Sequence, residues 1–237
     1  MQRIHDLSRS VDESPRLVVA LERALDGAMS LVDADFGNVQ LVNPATGGLT
    51  ILAESGFSSE FLDYFSRVDD DGSACGRAAR RRSQTVIVDV DEDPAFAPHR
   101  EIAAASGFRA VQSTPLVDPT GRLRGVISTH FRRPRRPRGR DLQIMDWYAD
   151  RVATAVARQL VAPTTLFAAN AELHERTADL HEATASLMFE GAQVALAAGH
   201  AVEAAERLKK ATRAWVHVGR ERERARALNQ RAHASPR

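Results

Sequence analysis

The chain of 237 residues sets 32 Lys and Arg against 31 Asp and Glu, and 43% of it is hydrophobic. That length suits one or two domains, and the near-neutral balance excludes a molecule that binds nucleic acid through its overall charge. One cysteine excludes an internal disulfide and a cysteine-rich zinc site, and no apolar run reaches the about eighteen residues of a membrane span.

MQRIHDLSRSVDESPR lacks the apolar stretch of a secretory signal, so a cytoplasmic protein is expected. Residues 1–13 read as a flexible N-terminus. Ser14-Pro15 then opens a helix, with Ser14 as its N-cap and Pro15 at the first position. Leu17, Leu21, Leu25, Ala28 and Val32 give it one buried stripe. FGNVQLVN and LTILAES are strands joined through a Gly-rich hairpin. SSEFLDYFSRV is a short helix broken by DDDG, and Ala74 to Arg82 is another. QTVIVDV is an apolar strand, and DEDPAFAPHREIAAASG is a loop with a short helix ending at Gly107. RAVQSTPLVD and LRGVISTHFRR pair across the turn PTGR. A long helix runs from about Arg138 to Leu160, and Pro163 marks a joint.

Five strands linked partly by hairpins predict a mostly antiparallel α+β domain over residues 14–160. The acidic Asp89–Asp93 and the basic FRRPRRPRGR, residues 131–140, read as solvated loops. Residues 163–232 read as an all-helical output or dimerisation segment, in which Leu166, Leu173, Leu180, Leu187 and Val194 lie seven apart. Gly191 and Gly199 mark breaks, and the last eighteen residues look like a charged, fraying end.

The text ACGRAARRRSQTVIVDVDEDPAFAPHR, followed by GFRAVQSTPLVDPTGRLRGVISTHF, resembles the GAF domain, a small-ligand sensor module of bacterial signalling proteins. The resemblance covers about residues 15–160. It implies a central antiparallel sheet of five to six strands with helices on both faces. The terminal helices would cover one face, and loops and short helices would roof a ligand site on the other.

Alternate strand residues point to opposite faces. Asn38 and Gln40 share a face of the first strand, Gln112 and Thr114 of the fourth, and Ser128 and His130 of the fifth. A polar sheet face must meet water or a polar ligand, because an unpaired buried polar group costs roughly 1–3 kcal/mol. These six residues are therefore the expected polar floor, with Val42, Leu116 and Val126 beside them. The roof is expected to bring Asp93, Phe96 and His99. No cofactor or metal is assigned, since His99 and His130 alone form no distinctive ligand set.

Cys75 sits at a helix start among arginines, a setting that lowers a thiol pKa. The segment Ala74-Cys75-Gly76-Arg77-Ala78 resembles the free methionine-R-sulfoxide reductases, a catalytic GAF family. That chemistry resolves a sulfenic acid with a second cysteine, and this chain has none. Cys75 is also placed too early for the roof-loop cysteine to which related photoreceptors attach bilin. It is expected to be a small buried residue, with a redox sensor as the minority reading.

The C-terminal helices admit three readings: a dimerising extension, an ANTAR-type three-helix RNA-binding module, and a helical hairpin like one tetratricopeptide repeat. The reading adopted is a non-enzymatic signalling protein and homodimer. It takes a small molecule of unassigned identity and offers its C-terminal helices to a protein partner. An RNA-binding antiterminator is the alternative; a GAF-type redox enzyme is the more remote one.

Overall fold

The computed structural model describes residues 2–44, 46–66, 68, 72–160 and 163–233. The chain divides into two compact units, Met1–Pro163 and Thr164–Arg237. Asp69, Asp70 and Asp71, expected to break a helix, lie outside the described residues.

The first unit opens with α1 (Gln2–Asp12) and α2 (Leu17–Val32), followed by the strands β1 (Phe36–Val42) and β2 (Leu49–Ser55). Then come α3 (Ser59–Tyr64), α4 (Ala74–Arg81) and β3 (Thr85–Ile87). A 3-10 helix (Pro94–His99) leads into α5 (Arg100–Ser106), the strands β4 (Ala110–Val117) and β5 (Leu123–Phe131), and α6 (Gly139–Gln159). The N-terminus expected to be flexible is thus helical. Ile4, Leu7 and Val11 recur at helical spacing, Val11 is fully buried, and α1 packs on α2 and α6. This also moves the expected cap. The second helix starts at Leu17, and the Ser14 hydroxyl donates back to the Ser10 carbonyl (2.8 Å), closing the link from α1.

The five strands form one antiparallel sheet in the order β2-β1-β5-β4-β3. One face carries α2 and α6, with Leu21, Leu25, Val39, Leu41, Ile127, Met145, Tyr148 and Val152 fully buried or nearly so. The other face is roofed by α3, α4, the 3-10 helix and α5 over a core of Phe61, Phe65, Phe96, Phe108, Val111 and Val126. Gly125 lets β5 lie against β1, since a Cβ there would stand 2.0 Å from the Gln40 carbonyl oxygen.

Beyond β5 the basic segment turns past the sheet edge. The Arg132 and Arg135 guanidinium groups lie 4.5 and 4.3 Å over the Phe36 and Phe131 rings. The Arg135 N–H donates to the Val88 carbonyl (2.9 Å), just past the edge strand β3.

The second unit holds two long helices, α7 (Pro163–Ala197) and α8 (Ala201–His233), turned at Gly199. Gly191 does not interrupt α7, and α8 continues through the charged end expected to fray. The seam between them is not the leucine stripe. Ala171, Ala178, Ala185 and Ala192 are buried on α7, and Ala204, Ala211, Val218 and Ala225 on α8, each set spaced by seven. Small residues at this spacing let two helices approach closely. Arg222 pairs with Glu182 (2.5 Å), and His174 bonds Glu221, across the hairpin. Each helix is as long as a whole tetratricopeptide repeat of about 34 residues, and the three-helix unit of the RNA-binding reading is not formed among the described residues.

Candidate functional site

The strand register decides what meets the roof. In an antiparallel ladder, directly opposed residues share a face. Asn38 opposes Ser128, which opposes Ser113; His130 opposes Val111; Gln40 opposes Val126. All of these except Val126 line a small cavity of about 20 Å³ under the roof. Asn38, Gln40, Ser113, Ser128 and His130 line it from the sheet; Phe61, Phe65, Ser73, Ala74, Cys75, Phe96 and Phe108 close it. The volume holds about one water, so a larger guest must displace roof side chains.

Four of the six expected floor residues are therefore in place, and two are not. Gln112 and Thr114 lie on the opposite face with Thr129 and Ile127, toward the terminal helices. Gln112 Nε2 donates to Gln84 Oε1 (3.3 Å), and Gln84 Nε2 donates to the Leu142 carbonyl of α6 (2.7 Å). The cause is a bulge between Leu116 and Val117. Counted back from the turn without it, Gln112 would stand opposite Ser128. The extra residue shifts the register by one and flips the side chains beyond it. Leu116 goes with Gln112, while Val42 and Val126 belong to the roof side.

Phe96 lines the cavity, but Asp93 and His99 do not. Asp93 Oδ1 accepts from the Ala95 and Phe96 N–H groups (3.0 Å each) and caps the 3-10 helix; its Oδ2 pairs with Arg77 (2.8 Å). Burial opposes its charge, but the Arg77 bond and the two N–H groups win and hold its carboxyl below the usual range. Arg77 also donates to the Gly72 carbonyl, so this pair ties the start of α4 to the next roof element. His99 packs against Phe96 and Phe65, and its Nδ1 bonds the Tyr64 hydroxyl (3.0 Å). Cys75, expected to be buried, is half-buried and opens on the cavity beside Ser73. Ser73 caps α4 by accepting from the Gly76 N–H (3.1 Å).

The polar atoms of the floor are unevenly satisfied. Ser113 and Ser128 share a hydrogen bond of 2.7 Å. Asn38 Oδ1, Gln40 Oε1 and His130 Nδ1 are buried with no hydrogen-bond partner among the described residues. The His130 ring stands edge-on to Phe108 (4.7 Å) and Phe57 (5.0 Å). Burial among these rings lowers its pKa to about 3, so the imidazole is neutral. The site can therefore offer a guest neutral hydrogen-bonding groups and aromatic edges.

Ser113, Phe61 and Phe108 were not among the expected residues. A bulge leaves no signature in a run such as QST, where both faces are polar. The aromatic spacing of FSSEFLDYF was the available signal for Phe61 and Phe65.

The motif residues that suggested the fold have structural work. Arg109 grips Asp89 through bonds of 2.7, 2.9 and 3.0 Å, fastening β4's start to the segment after β3. Asp118 accepts from the Thr120 and Arg122 N–H groups and pairs with Arg124 (2.6 Å), which shapes the β4–β5 turn.

Solved structures share the fold of the first unit. No protein of curated function matches the chain. The structure of the GAF domain from a phosphoenolpyruvate-protein phosphotransferase of Coxiella burnetii is similar at 16% identity and a TM-score of 0.58, over 66% of this chain and 92% of that one. Free methionine-R-sulfoxide reductase from Neisseria meningitidis, in complex with its substrate, is similar at 19% identity and a TM-score of 0.54, over 67% and 89%. The chromophore-binding domain of a bacteriophytochrome from R. palustris is similar at 20% identity and a TM-score of 0.53, over 67% and 60%. At such identities the likeness speaks for the fold alone. The GAF domain pattern itself matches residues 16–157, and with more than half its length inside that match, this chain belongs to the GAF domain family.

Proposed function

We propose that this protein is a non-enzymatic cytoplasmic sensor. Its roofed cavity takes a small neutral molecule, and its C-terminal helices dimerise or carry the output. The observation that carries the reading is that three residues lining one cavity, Asn38, Gln40 and His130, each hold a buried atom with no hydrogen-bond partner among the described residues: Oδ1, Oε1 and Nδ1. Leaving each unpaired is costly, and a guest supplying hydrogen bonds would recover that cost. Among the described residues no carboxylate, lysine or arginine lines the cavity, which favours an uncharged guest with polar edges and a planar apolar body. Two proteins of the same fold hold a small molecule, a substrate in one and a chromophore in the other. Against catalysis stands the lining itself: a neutral histidine, and a thiol in a chain with no second cysteine to resolve it.

The test is a nuclear magnetic resonance screen of neutral heteroaromatic fragments against the full chain. Binders should shift the Asn38 and Gln40 side-chain amides and slow maleimide labelling of Cys75. Gln40→Leu should weaken them about tenfold, the worth of one buried hydrogen bond. A screen in which no fragment shifts either amide overturns the reading.

A further inference from the structure

We infer that a second copy of this chain docks on the outer face of α7, with the two α7 helices antiparallel. Leu180, Leu187 and Val194 are 65%, 68% and 69% exposed, although they are the largest apolar residues at a strict seven-residue spacing. At about 100° per residue, Leu187 stands about 200° around the helix from the buried Ala185. The hairpin thus spends its alanines inside and leaves its leucines out. Such a stripe over two heptads is the pattern of an interhelical seam.

The charges on this face say what covers it. Arg176 and Glu190 flank the stripe, each seven residues from Ala183. A parallel pair would set Arg176 against Arg176 and Glu190 against Glu190, a like-charge arrangement that disfavours association. A two-fold axis between Ala183 and Thr184, with the helices antiparallel, sets Leu180 against Leu187 of the second copy and Leu173 against Val194. It also sets each Arg176 opposite Gly191 of the other copy, one residue from that copy's Glu190. The pattern is self-complementary, as a two-fold interface requires, and small residues at its centre admit a close approach.

This inference rests on reading residues 163–232 as a dimerisation segment, and the experiment separates the two. Light scattering of the full chain should show a concentration-dependent dimer. Leu180→Glu with Leu187→Glu should weaken it roughly a hundredfold, because central apolar contacts dominate such interfaces. In a Cys75→Ser background, Thr177→Cys chains mixed with Glu190→Cys chains should cross-link under an oxidant, and neither alone should. Self-cross-linking of Thr177→Cys chains means a parallel pair and overturns the register. A dimer untouched by the two glutamates but lost on Phe189→Ala with Trp215→Ala moves the interface to the groove between those rings. That result sinks this face while keeping the segment's role. A full chain that stays monomeric overturns both.

Discussion

His130 sits where packing and binding make opposite demands. Its ring fits an aromatic cluster, yet its Nδ1 has no partner among the described residues. An unfolded imidazole takes its proton near pH 6.5, and the folded one only near about 3. Between these values the unfolded chain binds more protons. Stability must therefore fall as pH drops, by up to about 1.4 kcal/mol per pH unit, and is fully present above about pH 6.5. His130→Phe keeps the ring and removes both the proton and the orphan nitrogen. The variant should match or exceed the parent's stability at pH 7.5, lose this part of the acid sensitivity, and bind fragments poorly. Urea unfolding at pH 7.5 and 4.5 checks it; an equal stability gap at both values contradicts the argument.

At the scale of elements, most of the architecture was legible. β1 and β2 begin and end where hydrophobic alternation and the Gly-rich turn put them, because local pattern and pairing agree there. The floor was legible on β1, where Asn38 and Gln40 are polar on one parity alone, and on β5, where Ser128 and His130 share a parity against Ile127 and Phe131. It was not legible on β4, where Gln112, Ser113 and Thr114 are all polar and a single bulged residue sets the face. The hairpin of α7 and α8 taught the same lesson differently. Leucines at heptad spacing outrank alanines in any reading by hydrophobicity, yet the close-packed seam is alanine. The consequence is testable: Ala178→Leu should pry the hairpin open, since added bulk in a close seam costs typically 1–3 kcal/mol. Limited proteolysis should then cut α8 in the variant well before the parent; equal cleavage rates would place the seam elsewhere.

Across the whole molecule, the chain divides into two units with separate cores. The first buries helices on one face of its sheet and an aromatic roof on the other; the second closes on its own alanine seam. Removing residues 164–237 should therefore leave residues 1–163 folding cooperatively and still binding the fragments seen with the full chain. Calorimetry should show one sharp transition; a broad melt would mean that the helices are needed for the fold. The location of the two near-equal charge populations matters here too. The basic segment after β5, expected to be a solvated loop, is held by two aromatic rings and a main-chain bond.

That segment has one more effect, on what the protein does when crowded. An open sheet edge is a template onto which another chain can zip, and from which fibres grow. Here β3 offers only three residues, and the chain just beyond them is already bonded to Arg135. A neighbour approaching there would meet Arg133, Pro134, Arg136 and Pro137, which combine repulsion with missing donors. The arginine-proline run works as a hem on this side of the sheet, so folded units brought close together meet a closed border at β3 and do not recruit one another strand by strand through it.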